Sequence, residues 1–446
     1  MRIFDTIKNI WKIEDLRKRI LITMGFVAIY LFGTYIVLPG VDPKALTGLA
    51  NQTRGGLLAL LDMFSGGAFS KASIFALGIM PYISASIVMQ LVTIIIPSFQ
   101  KMQREGESGR KKINQMTRYL TVAILFVQGI AYLTNLDMQM RQIGSGLPLG
   151  MWYKFSSIII MAAGSMFVLW LGERITDKGI GNGISFIIMI GIINRLPRSL
   201  MEEFTSRMNE QAGGLVMFLV EMLFLLLVIA GAIALVQGTR KVPVQYAKRI
   251  VGNKQYGGAR QYIPLKVNAA NVMPIIFAQA IMMIPVSVIQ MSRGGNLGPF
   301  WQNFLATSGF WYNFVFALMI IAFTYFYTAI TINPTQMADD LKRNNGFIPG
   351  IKPGKATKEY LDTIMDRITL PGAFFLAIIA ILPAFARLAG ISMGFSSFFG
   401  GTSLLILVGV ILDTLQQVES HLLMRHYDGL LKSGRIKGRS GAIAAY

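Results

Sequence analysis

Long apolar runs separated by short polar connections dominate the chain. Ten of them read as helical spans: 20–38, 74–96, 119–136, 155–171, 184–196, 215–236, 272–289, 311–332, 370–385 and 403–418. About 20 apolar residues at ~1.5 Å rise cover a hydrocarbon core of ~30 Å, so runs of this length suit membrane crossings. The fifth is short and contains Gly191, and the ninth is punctuated by Pro371 and Pro383. A membrane β-barrel would alternate over segments of ~10 residues instead of running apolar without a break.

One stretch departs from simple crossings. Leu57, Leu60, Leu61 and Phe64 recur at i, i+3, i+4 and i+7, the stripe of a two-turn helix too short to span, and the Gly66-Gly67 pair ends it. A half-helix at membrane depth is tolerated where it is buried in protein or lines a water-filled cavity. The competing reading is an amphipathic helix lying on the surface. Near the N-terminus Ile3, Ile7, Ile10 and Trp11 share a helical face, which fits either an interfacial helix or a frayed terminus. The run at 20–38 is too long for a signal-peptide core and no small-residue cleavage site follows, so a retained span is expected.

Composition agrees with the pattern. Hydrophobic residues make up 53% and charged residues 14%, against about 25% charged in soluble domains, and the mean hydropathy is +0.53. The formal charge of +20 is therefore read through topology. With both termini cytoplasmic and spans alternating, 32 of the 42 Lys and Arg fall on the inside, as the positive-inside rule expects. Two inside loops exceed what topology needs. The loop at 239–267 carries Arg240, Lys248, Arg249 and Arg260 among tyrosines, and that at 331–367 carries Lys342, Arg343, Lys352 and Lys355 with three prolines. They suit an acidic or RNA-rich partner, although an anionic-lipid anchor with positive-inside bias is the slightly better account of the residues alone.

Catalytic chemistry is hard to assemble. There is no cysteine, and both histidines, His421 and His426, lie beyond the last span. Gly179, Gly181 and Gly183 resemble the start of a dinucleotide loop, but Ile184 takes the place of the third glycine, so a turn feeding the fifth span is the better reading. No Walker A sequence, metal set or cofactor site is expected. Ionisable groups deep in the spans are few; for Glu221 and Asp413, snorkelling or pairing near an interface is a better account than ion coupling. Isoleucine-rich helices fit lipid contact and packing, or a hydrophobic constriction that blocks ions by dewetting. An inverted-repeat secondary transporter of a small solute stays open as an alternative, with an intramembrane enzyme more distant.

Longer strings carry a resemblance. The run from Asp62 to Ile87 (DMFSGGAFSKASIFALGIMPYISASI), Gly106-Glu-Ser-Gly-Arg-Lys-Lys112, Gly179-Ile-Gly-Asn-Gly-Ile-Ser185, Tyr246-Ala-Lys-Arg249, Pro264-Leu-Lys-Val-Asn268, Asn333-Pro334, Phe347-Ile-Pro-Gly350 and Phe399-Gly-Gly-Thr-Ser-Leu-Leu405 are similar to the bacterial SecY family, in order and through nearly the whole chain. The resemblance implies an all-α polytopic membrane protein without enzymatic activity. Its ten transmembrane helices would form two pseudo-symmetric inverted five-helix halves around a central hourglass pore, with a short re-entrant plug helix. On this sequence that gives a cytoplasmic segment at 1–19, halves at 20–200 and 201–420, and a cytoplasmic tail at 421–446.

The plug would fall at 57–67, including Leu57, Leu60, Leu61, Asp62, Phe64, Gly66 and Gly67. The pore ring would be Ile79, Ile83, Ile184, Ile188, Ile276 and Ile406, and the lateral gate would involve Ser84, Ile87, Gln90, Gln279 and Met283. The basic loops would dock the SecA ATPase or the ribosome, with ribosomal RNA as the only nucleic acid touched. SecE-like and SecG-like small membrane subunits, signal sequences, unfolded preproteins and the lipid bilayer complete the implied partners. The implied role is passing preproteins across the bacterial inner membrane and releasing membrane segments sideways into lipid. One departure is Lys352, where the family commonly has arginine; the charge is kept and the bidentate fork is lost.

Overall fold

A computed structural model describes residues 11, 13–41, 62, 64–142, 150–209, 214–246, 249–251, 254–256, 260–279, 281–282 and 309–432. They form two compact units. One holds the described residues up to Arg195 together with those from Val410 onward, and the other runs from Leu196 to Gly409.

In the first unit, α1 (Glu14–Gly33) opens with Glu14 and Asp15 against the positive end of the helix dipole. The expected span at 20–38 stops early, because the helix ends at Gly33. There the ring of Phe75 lies so close that a Cβ would overlap it. Pro39 follows and disfavours helix at the residue before it. The chain instead extends: Val37 pairs with Ser73, Leu38 N donates to Ala72 O at 2.8 Å and Ile74 N to Ile36 O at 3.0 Å.

The expected span at 74–96 is likewise shortened. Residues 65–79 run in turns, and α2 (Met80–Ile95) begins only at Met80, with Pro81 pre-set for a first helical turn. Pro97 then breaks the run, and α3 (Pro97–Arg104) leaves α2 at a bend of 104°. Next come α4 (Glu107–Gln142) and α5 (Met151–Lys178), with α4 packed on α2 and α5, and α1 on α5. The expected short fifth span is in fact a long helix, α6 (Gly183–Asn209), which carries Pro197 inside it. Its second half escaped the hydropathy reading because Arg198 with Glu202 and Arg207 with Glu203 place charge pairs at i, i+4 on it.

The second unit contains α7 (Gly214–Gln237), a helical segment at 273–279, α8 (Phe310–Thr331), α9 (Pro334–Arg343), α10 (Lys355–Leu388), the short α11 (Met393–Ser396) and the start of α12 (Gly401–Lys432). Both α10 prolines are accommodated within one continuous helix. The expected span at 272–289 is described only to Gln279 and at 281–282.

A hairpin joins β1 (Thr239–Tyr246) to β4 (Arg260–Lys266), with Thr239 opposite Lys266 and Gln245 opposite Arg260. Between them β2 (Arg249–Val251) pairs with β3 (Lys254–Tyr256), and β5 (Gly346–Phe347) adds to the free edge of β1. Among the described residues, seven helical stretches are long and apolar enough to cross a membrane, or eight if α2 and α3 count as one broken span.

Candidate functional site

The turn after the expected half-helix rests on α6. Phe64 is the last described helical residue before it, and Gly66 and Gly67 take φ of 67° and 87°, left-handed values that end the helix as their pairing suggested. Asp62 organises the turn. Its carbonyl accepts from Gly67 N at 2.8 Å and from the Ser65 hydroxyl at 3.1 Å, while its Oδ1 accepts from Ser70 N at 2.7 Å. The Tyr30 hydroxyl of α1 donates to Ser65 O at 3.1 Å, and Tyr132 of α4 to Phe69 O at 2.9 Å.

Three residues of α6 complete the seat. A Cβ on Gly66 would sit 3.1 Å from Gly191 Cα, so backbone passes against backbone there. Asn194 Nδ2 donates to Gly66 O at 3.3 Å, and Arg195 pairs with Asp62 Oδ2 at 3.0 Å. Gly191, which in the sequence only weakened a span, is the position that lets the turn approach. Residues 184, 188, 191 and 195 share one face of α6. The face carrying Ile184 and Ile188 therefore runs on into the seat.

A second knot fixes where α6 begins. Gly181, at φ 80°, donates its N–H to Gln417 Oε1 at 2.9 Å. Ile180 N donates to Thr23 Oγ1 at 3.2 Å and Gly183 N to Thr176 Oγ1 at 2.9 Å. Asn182 Oδ1 caps the helix by accepting from Ile184 N and Ser185 N at 3.1 and 3.4 Å. These five amides are taken up by side chains, so the glycine turn has no phosphate cradle to offer. Its role is to set the rotation of α6, and with it Ile184 and Ile188.

Ile79 is the residue before α2, almost fully buried, and its carbonyl accepts from Ile83 N at 3.1 Å. Ile188 is buried, whereas Ile83 and Ile184 are half-buried. These four share the first unit with the seat. Ile276 and Ile406 belong to the second, half-buried and buried respectively. Of the expected gate residues, Ser84 is half-buried, Ile87 is buried, and Gln90 Nε2 reaches Ser86 Oγ at 3.5 Å. Gln279 Nε2 donates to Thr402 Oγ1 at 3.3 Å, which ties the segment at 273–279 to the start of α12. Met283 lies outside the described residues, as do Leu57, Leu60, Leu61 and Lys248.

The two basic loops fold together into a layer. Val242, Val244 and Leu265 of the hairpin bury against Leu341 of α9, Ile348, and Leu361 and Met365 of α10. Arg240, Lys342, Arg343, Lys352 and Lys355 are exposed around it, and none of the five is in an ion pair among the described residues. Arg249 and Arg260 occupy β2 and β4. The strands were missed in the sequence, although buried Val242 and Val244 alternate with more exposed neighbours at period 2.

The model of the SecY family matches residues 73–415, and the protein translocase subunit SecY of Streptomyces scabiei is 42% identical over 432 residues, covering 95% of this chain and 98% of that one. The chain belongs to the SecY family. Among solved structures it is similar to a SecY channel whose plug domain is described as stabilising the closed state, with TM-score 0.61 and 18% identity over 96% of this chain and 95% of that one. It is also similar to Sec61 in the canine ribosome–channel complex, with TM-score 0.54 and 16% identity over 96% and 95%. At such identities the likeness is one of fold. As a SecY-family chain with these apolar helices, it is a multi-pass membrane protein.

Proposed function

We propose that this chain is the central channel-forming subunit of a Sec protein translocase in a bacterial inner membrane, with both termini cytoplasmic. The observation that carries the reading is the 62–67 turn docked on the same face of α6 that bears Ile184 and Ile188. A stopper and a constriction on one helix face are what a closed pore needs. Ile79, Ile83, Ile184, Ile188, Ile276 and Ile406 supply the constriction: apolar side chains dewet a narrow passage, stop small ions, and deform around a larger apolar guest.

Opening follows from differential affinity. A signal sequence is an apolar helix, and inserting it between the gate segments at 74–96 and 272–289 stabilises whichever state has the gap. The chain performs no reaction. Energy comes from a SecA motor or from a translating ribosome docked on the basic layer around β1, β4 and α9. The ribosome-bound relative supports the second of these, and SecE-like and SecG-like subunits would complete the assembly.

The test is import of an unfolded preprotein into vesicles holding this chain, its small partner subunits and SecA with ATP. Protease-protected preprotein that appears only with ATP is the expected result. Solute uptake without preprotein transport would reject the reading.

A further inference from the structure

We propose that Gln417 of α12 is a positioning residue for the pore ring, holding α6 at the rotation the closed channel needs. The inference rests on the channel reading above and adds a residue to it. Gly181 N donates to Gln417 Oε1 at 2.9 Å across 236 positions of sequence, and both residues belong to the first compact unit. Thr414, three residues earlier on α12, stands against the same glycine, its Oγ1 3.2 Å from where a Cβ would sit.

The other amides of the turn are held by groups that belong to it or lie beside it. Asn182 is part of the turn, and Thr176 sits at the end of α5, which runs directly into it. Thr23 reaches Ile180 from α1, but Ile180 precedes the left-handed Gly181 and so lies before the bend. Gln417 is thus the contact by which a remote helix fixes the residue that turns the chain into α6. A hydrogen-bonded helix transmits rotation along its length. Twisting the start of α6 therefore moves Ile184 and Ile188 and, farther along the same face, Gly191 against the 62–67 turn. Gln417 is exposed, so water can replace it, and its bond biases rotation more than it stabilises the fold.

The measurement is export by the assembled translocase in vesicles, taken as the ratio of a preprotein with a defective signal sequence to the same preprotein with an intact one. Loss of folded translocase lowers both exports and leaves the ratio alone, so a merely structural role does not move it. Gln417→Leu removes the acceptor and should raise the ratio roughly two- to tenfold, the worth of one net hydrogen bond. Gln417→Glu keeps an oxygen for Gly181 N and should stay within about twofold of the parent. Thr176→Val removes the acceptor of Gly183 N and should raise the ratio in the same direction. Gln416→Leu, at the neighbouring exposed position, controls for an added apolar side chain and should change nothing.

A parental ratio in Gln417→Leu would overturn the assignment, whatever Thr176→Val does. So would an equal rise in Gln416→Leu, or a Gln417→Glu variant that behaves like Gln417→Leu. Absence of ATP-dependent preprotein import by the parent chain defeats the channel reading itself.

Discussion

Arg207 of α6 and Glu221 of α7 meet at 2.6 Å with their side chains 7% and 3% exposed. Arg207 also binds Glu203 Oε1 at 3.1 Å and Gly390 O at 2.8 Å, and Glu203 Oε2 accepts from Ser392 N at 2.8 Å. One guanidinium thus joins two helices to the chain that follows α10, and it serves two buried carboxylates at once. Arg207→Met should destabilise the protein by roughly 3–5 kcal/mol, because both carboxylates lose their partner. Glu203→Gln should cost only about 1 kcal/mol, since the amide oxygen still accepts from Ser392. Thermal unfolding in nanodiscs checks the order; an Arg207→Met protein as stable as the parent would dismiss the network as incidental.

Gly183 offers a steric prediction. A Cβ there would overlap Gly172 O and crowd Ile175, both on α5. Gly183→Ala should cost about 1–3 kcal/mol by overpacking and displace the start of α6. Gly231→Ala is the control, because nothing lies within 4 Å of that Cβ in the middle of α7. It should gain about 0.5–1 kcal/mol from helix propensity, and opposite signs in the melting shifts are the result to look for.

Asn333 caps α9 by accepting from Thr335 N at 3.1 Å and Gln336 N at 3.2 Å. Asn333→Ala should weaken that helix by ~1 kcal/mol. Hydrogen exchange at the start of α9 should then quicken, while α8 stays protected. Equal protection before and after would show that Pro334 alone sets the helix start.

Ile406 is 5% exposed near the start of α12. If Ile406 belongs to the proposed ring, Ile406→Asn would place an amide among apolar side chains at a cost of about 1–3 kcal/mol, shifting the balance toward a hydrated open state. Preproteins with defective signal sequences should be exported more efficiently. Rejection as strict as before would remove Ile406 from the ring.

For the gate, a photocrosslinker at Ser84 should capture a stalled signal sequence. Ser84 is the better probe than Gln279, whose amide is engaged with Thr402. No adduct at any position along the two gate segments would sink side entry.

The membrane helices were readable in the sequence because apolar length alone decides them, as with α7 and α8. What hydropathy could not supply was where a run bends or stops. Residues 65–79 are as apolar as a helix, but Tyr30 and Tyr132 bind their backbone from afar, and such partners leave no local trace. The charged second half of α6 was hidden for the opposite reason, because its charges are cancelled by neighbours one turn away. Within the candidate site, Ile184 and Ile188 were expected only through the family resemblance of the glycine motif that precedes them. Asn194 and Arg195 could not, since an arginine near a span end reads as topology until its partner is known.

The small β-layer has a mechanical consequence. Leu361 and Met365 belong both to its core and to α10, a single helix of 34 residues, about 50 Å long at ~1.5 Å per residue. A side chain packed in a close-fitting core yields little under load. A partner docked on the exposed lysines, as proposed above, would therefore load one end of α10, and the load would reach its far end as tilt or slide. Stiffness of α10 would then connect an event in water to a displacement in lipid.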